Sequence, residues 1–90
     1  MNKLPVILIV EYVPALAASY AGFLKRETVS VHTVGSGSEA LAFLEREQVA
    51  LALVDVHLPD MNGLEILRRI RRLGAATEVD PFRGTMGRGI

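Results

Sequence analysis

Two short runs of aliphatic residues constrain the fold of this chain more than any other feature. The first run is Val6–Val10, and the second lies at 49–56, where Asp55 interrupts it near its end. Both runs are far shorter than a membrane span. Continuous β-branched and aliphatic stretches of this length are typical of strands that are buried on both faces of a parallel sheet. The chain is therefore expected to fold around two central parallel strands.

Segments with a helical spacing of apolar residues alternate with the strands. Pro14 stands where the first turn of a helix tolerates a missing N–H group. Ser36 and Glu39 have the spacing of a capping box at the start of a second helix. The resulting order β-α-β-α-β-α predicts an α/β fold, a parallel sheet flanked by helices. The predicted elements are strands at 6–10, 29–34 and 50–56 and helices at 14–25, 38–47 and 64–73.

The pattern weakens after the third predicted helix. Residues 75–79 have some strand character, but we expect Asp80 and Pro81 to stop a strand there. The sequence therefore predicts one domain over 1–78 and an irregular tail over 79–90.

Composition and charge exclude several classes of protein. The chain has no cysteine, so neither disulfides nor thiolate chemistry are expected. Its first residues lack the features of a signal peptide, and a cytoplasmic location without membrane contact is expected. Residues 1–66 hold four basic and eight acidic side chains, whereas residues 67–90 hold six arginines and two acids. We interpret the arginines as a solvated helix face, so nucleic-acid binding is not indicated.

Asp55 is the first candidate for a functional residue. A carboxylate at the carboxyl end of a buried parallel strand lies where open α/β sheets bind ligands. Desolvating an acid inside an apolar run is costly, which argues against a purely structural role. The alternative from position alone is an aspartate just past the strand end that caps a loop or is solvated.

The segment around Asp55 carries a family resemblance. Residues 54–63 read Val-Asp-Val-His-Leu-Pro-Asp-Met-Asn-Gly, which resembles the phosphoacceptor segment of response-regulator receiver domains. The resemblance continues through 7–11 and 35–41 and covers about 4–78. It implies a CheY-like receiver module with the flavodoxin-like fold, truncated after the third βα unit. It also implies a phosphoprotein of a two-component phosphorelay, which receives phosphoryl groups from a sensor histidine kinase or a phosphotransfer protein and is not itself an enzyme.

The resemblance assigns roles at the site by position. Asp55 corresponds to the phosphoacceptor, and Mg²⁺ would be held by Asp55, Glu11 and the backbone carbonyl of His57. Tyr12 stands where receivers carry the acid that binds the metal directly. A phenol is neutral at pH 7 and a poor ligand for a hard cation. Weakened Mg²⁺ binding and impaired phosphotransfer are therefore expected.

Receiver domains have five βα units, and the sequence offers no counterpart for the last two. The family places a serine or threonine after strand four and a lysine after strand five, whereas lysine occurs here only at Lys3 and Lys25. In the family's strand order 2-1-3-4-5, loss of strands four and five would turn strand three into an edge. An exposed hydrophobic edge favours pairing with another chain. Self-association, through strand three or by exchange of elements, is therefore expected.

Two other interpretations of the function also fit parts of the sequence. A degenerate receiver would act only as an interaction or dimerisation module, as Tyr12 and the missing lysine suggest. A haloacid-dehalogenase-like phosphatase also uses an aspartate at a strand end, but it needs a second one two residues later, where this chain has His57.

Overall fold

Strands and helices alternate to build one parallel sheet. In this computed structural model the described residues are 4–25, 28–73 and 78–80. The strands lie in the order β2-β1-β3-β4, and every neighbouring pair is parallel. The elements are β1 (Val6–Val10), α1 (Pro14–Leu24), β2 (Ser30–Val34), α2 (Gly37–Arg46), β3 (Leu51–Val54), α3 (Gly63–Leu73) and β4 (Glu78–Asp80).

Both faces of the central strand β1 are buried, as its uninterrupted apolar run predicts. Leu8 and Val10 point to one face and join the core formed with α2 and α3. Ile7 and Ile9 alternate to the opposite face and are 6% and 0% exposed. On that side α1 packs against β1 and β2. The predicted α/β class, a parallel sheet flanked by helices, is confirmed.

The start of α2 confirms the predicted capping box. Ser36 Oγ accepts a hydrogen bond from the backbone N–H of Glu39 at 3.2 Å. In the reverse direction, Glu39 Oε1 accepts one from the backbone N–H of Gly35 at 2.9 Å. The helix begins at Gly37, one residue earlier than predicted. Local sequence spacing thus defines this helix end.

The third helix separates an apolar from a basic side. Ile66 and Ile70 are buried, at 0% and 3% exposure. The predicted outer arginines are all exposed: Arg68, Arg69, Arg71 and Arg72. Among the described residues, the helices are all too short or too polar to cross a membrane.

The expectation about the edge of the sheet is wrong. β4 pairs in parallel with β3, with Leu51 opposite Glu78 and Leu53 opposite Asp80. Strand three is therefore not an edge strand, and it is also shorter than the predicted 50–56. The predicted boundary at 78 falls inside β4, so residues 79 and 80 are not part of an irregular tail.

A local backbone preference explains this error. Pro81 disfavours a strand beyond it, but a proline also pushes the residue before it toward extended conformations. Asp80 is therefore favoured as the last residue of a strand. The rest of the predicted tail, 81–90, lies outside the described residues.

Candidate functional site

Two acidic side chains lie next to each other at the carboxyl end of the sheet. Val10 and Val54 are register partners, and Glu11 and Asp55 directly follow them. The backbone pairing continues past the strand ends, because the N–H of Asp55 donates to the carbonyl of Val10 at 2.8 Å. Neighbouring strands lie about 4.8 Å apart, so the two acids project from adjacent chain positions. The fold brings together two residues that are far apart in the sequence.

Both acids are buried. Glu11 is 2% exposed and Asp55 is 1% exposed. Asp55 is therefore not the solvated loop residue that its position alone left open. Its Oδ1 does cap the following loop, because it accepts a hydrogen bond from the backbone N–H of His57 at 2.9 Å. Burying a carboxylate is unfavourable without compensating partners, and this N–H is one such partner.

Tyr12 lies at the surface beside these acids. Its side chain is 58% exposed. It lines an open crevice above the β3–α3 loop together with seven residues of that loop: Val56, His57, Leu58, Pro59, Asp60, Met61 and Asn62. The carboxylate of Glu11 folds back onto its own segment, where Oε2 accepts from the N–H of Val13 at 3.2 Å. Tyr12 thus contributes a phenol to the crevice wall, directly after the buried Glu11.

The oxygen donors at this site are of the type that Mg²⁺ binds, but they are few. Within 4–25, 28–73 and 78–80, no cluster of three or more His, Cys, Asp or Glu side chains could hold a metal. Glu11 and Asp55 supply carboxylates, and His57 supplies a backbone carbonyl on the loop. Mg²⁺ is often bound by one or two carboxylates with water and phosphate oxygens in its other positions. The residues therefore fit a Mg²⁺ ion that takes only a few of its ligands from the protein and the others from water and phosphate.

The loop after Asp55 depends on a glycine that sequence reasoning treated only as part of a motif. The N–H of Gly63 donates to the carbonyl of Val56 at 3.0 Å and closes the loop. A Cβ at Gly63 would collide with the backbone carbonyl of Asp55 and would lie 2.7 Å from Cα of Val56. Only glycine allows this close approach of two backbones. The start of α3 is therefore held directly against the backbone of Asp55.

Asp60 makes a long-range contact that the sequence did not reveal. Its Oδ1 accepts from the N–H of Gly37 at 2.8 Å, and its Oδ2 accepts from the N–H of Ser38 at 2.9 Å. A carboxylate is a favourable partner for the N–H groups at a helix N-terminus, where the helix dipole is positive. These two hydrogen bonds join residues more than twenty positions apart in the sequence, and no local spacing predicts them. Asp60 therefore joins the β3–α3 loop to α2.

The Asp60 contact predicts a pH dependence of stability. Hydrogen bonds from the N–H of Gly37 and then of Ser38 hold the pKa of Asp60 below its ordinary value of 3.8. Because the folded pKa is the lower one, the contact stabilises the folded state above about pH 4 and is lost as pH falls through the folded pKa. Urea denaturation gives the unfolding free energy at pH 6 and at pH 3. The decrease between these two pH values should be smaller for Asp60→Asn than for the unmodified chain. Equal losses in the two proteins would contradict the prediction.

Comparisons with known proteins agree with this geometry. The family model described as "Response regulator receiver domain" matches residues 7–80. The regulatory protein VanRc of Enterococcus gallinarum is 36% identical over 66 residues, which are 73% of this chain and 29% of VanRc. The cell cycle response regulator CtrA of Brucella ovis is 32% identical over 81 residues, 90% of this chain and 35% of CtrA. The chain thus spans about a third of these relatives.

Solved structures show the same fold. The CheY-like receiver domain from Methanospirillum hungatei is 35% identical with a TM-score of 0.80, over 86% of this chain and 62% of that one. The MaeR response regulator bound to beryllium trifluoride is 27% identical with a TM-score of 0.78, over 84% of this chain and 64% of that one. On the family match, the shared fold and the strand-end acids, this chain belongs to the response-regulator receiver domain family.

Proposed function

We propose that Asp55 is a phosphoacceptor in a two-component phosphorelay, and that the chain is a receiver module rather than an enzyme. The observation that supports this most directly is a carboxylate 1% exposed at the end of β3, beside the buried Glu11, in a member of the receiver family. The phosphodonor would be a sensor histidine kinase or a phosphotransfer protein. With such a donor, we propose that the chain acts in the cytoplasm.

The chemistry follows from the site. Oδ1 of Asp55 accepts the N–H of His57, and we assign the attack on phosphorus to the other oxygen, Oδ2. A P–O bond forms as the P–N bond of a phosphohistidine breaks, and the departing imidazole keeps the electron pair. Mg²⁺, held by Asp55, Glu11 and the His57 carbonyl, would neutralise phosphoryl oxygens during transfer. Because Tyr12 adds no carboxylate, we propose that the transfer is slow.

Phosphoryl labelling tests this proposal. Incubation with Mg²⁺ and acetyl phosphate should add one phosphoryl mass to the chain and none to the Asp55→Asn variant, which keeps the shape of the side chain but cannot form the acyl phosphate. Mass spectrometry of the intact protein gives the readout, and far-UV circular dichroism checks that the variant folds. Equal labelling of both proteins would refute the role of Asp55.

A second function is favoured by one observation. Tyr12 is an exposed aromatic at the crevice wall, which suits contact with a protein surface better than metal binding. In this alternative the chain is a degenerate receiver that acts only as an interaction module. Absence of labelling in the unmodified chain, together with labelling of Tyr12→Asp, would favour it.

We also propose that the chain self-associates through the α1-side face of β3. In the described part of the chain, Ala52 and Val54 are buried on one face, whereas Leu51 and Leu53 on the other are only half-buried. A half-covered apolar sheet face is stabilised by burial against a second copy. Light scattering should show a mass that rises toward a dimer with concentration, and Leu53→Lys should abolish the rise. A stable monomer at high micromolar concentration would contradict this proposal.

A further inference from the structure

The β3–α3 loop, residues 56–62, carries the His57 carbonyl and is held by two kinds of contact. The first kind is local. The N–H of His57 donates to Asp55, a bridge joins His57 to Asn62, and the N–H of Leu64 donates to Asn62 Oδ1 at 2.8 Å. These three contacts tie the two ends of the loop to its own strand and helix. Asp60 and Met61 form the outermost part of the loop between them.

The second kind of contact reaches another element from the outermost part of the loop. Both oxygens of Asp60 accept hydrogen bonds from consecutive N–H groups of α2, at 2.8 and 2.9 Å. The next residue, Met61, packs against the core and against Gly37, where a Cβ would collide with its side chain. A polar and an apolar contact thus dock the same two loop residues onto the same end of α2.

The N-terminus of α2 does not need Asp60 for its own capping box. Ser36 and Glu39 already satisfy the N–H groups of Glu39 and Gly35. The N–H of Ala40 donates to the carbonyl of Ser36 at 3.1 Å. Asp60 completes the set by accepting from the two remaining N–H groups of the first turn. The carboxylate therefore completes the capping of α2 from another element and links this helix end to the loop.

We infer that Asp60 is a positioning residue of the site: it holds the β3–α3 loop on α2 and so restrains His57, whose N–H donates to Asp55. Its contacts couple the phosphoacceptor loop to the first turn of α2. The inference rests on the phosphoacceptor role proposed above only for its functional consequence. The structural link itself is measurable without any phosphoryl donor.

Amide hydrogen exchange tests the link in the unliganded chain. Asp60→Asn keeps the shape of the side chain but removes its charge and one of its two acceptors. We expect exchange at the N–H groups of Gly37, Ser38 and Gly63 to accelerate by about tenfold in this variant, because loop and helix open more often. Glu39→Gln is the matched control: it weakens the capping box of the same helix without touching the loop. It should leave Gly63 unchanged, and an equal acceleration of Gly63 in both variants would overturn the inference.

Binding of Mg²⁺ with beryllofluoride tests the consequence for the site. A positioning role predicts that Asp60→Asn lowers the affinity by about tenfold, as loss of supporting contacts around a metal site does, whereas Glu39→Gln binds like the unmodified chain. Equal affinity in all three proteins would overturn the positioning role. If the unmodified chain itself does not bind, the proposed phosphoacceptor function fails, and the exchange at Gly63 alone decides for or against the role of Asp60.

Discussion

The Tyr12→Asp variant is expected to bind Mg²⁺ at least about tenfold more tightly than the unmodified chain. Tyr12 directly follows the buried Glu11, and its side chain lines the crevice beside the β3–α3 loop. An aspartate there would add a hard, charged oxygen donor to the two carboxylates of Glu11 and Asp55. Because Tyr12 is 58% exposed, the exchange removes little buried apolar surface.

Two controls separate metal binding from other effects of this change. Tyr12→Asn removes the same ring but supplies no charge, so its Mg²⁺ affinity should stay close to that of the unmodified chain. Combining Tyr12→Asp with Asp55→Asn should cancel most of the gain if both groups contact one ion. Calorimetric titration with MgCl₂ measures each affinity. An equal gain for Tyr12→Asn would show that the ring blocks the site rather than that a ligand is missing.

The Ile66→Ala variant should lose about 3–4 kcal/mol of unfolding free energy. Ile66 is 0% exposed and belongs to the core between the sheet, α2 and α3. Truncation removes its buried methyl and methylene groups and leaves a cavity that the close-packed neighbours fill only in part. A domain of this size has few kcal/mol in reserve, so the folded state should become a minority species under mild denaturing conditions.

Leu64 on the same helix provides the matched control. Its side chain is 47% exposed, so Leu64→Ala should cost less than about 1 kcal/mol. Urea denaturation followed by circular dichroism gives both values. Similar losses for the two variants would contradict the placement of Ile66 in the core and of Leu64 at the surface.

Local sequence patterns account for most of the elements. The uninterrupted run at 6–10 predicts a strand covered on both faces, and β1 is that strand. Ser36 and Glu39 predict the start of α2 because a capping box involves only neighbouring residues. By contrast, no local pattern predicts β4, because a three-residue strand is stabilised by its pairing with β3, which is a contact between distant segments.

The features of the candidate site likewise fall into those that depend on local sequence and those that depend on packing. The family, the position of Asp55 and the unusual Tyr12 are readable along the chain, because they depend on residue identity and short spacing. The burial of Glu11 and Asp55 side by side emerges only in the folded sheet, since strand register is set between segments more than forty residues apart. The same holds for Gly63 against the Asp55 backbone and for Asp60 on α2. Hydrogen bonds and close contacts between distant segments exist only once the chain has packed, and a pattern read along the chain does not contain them.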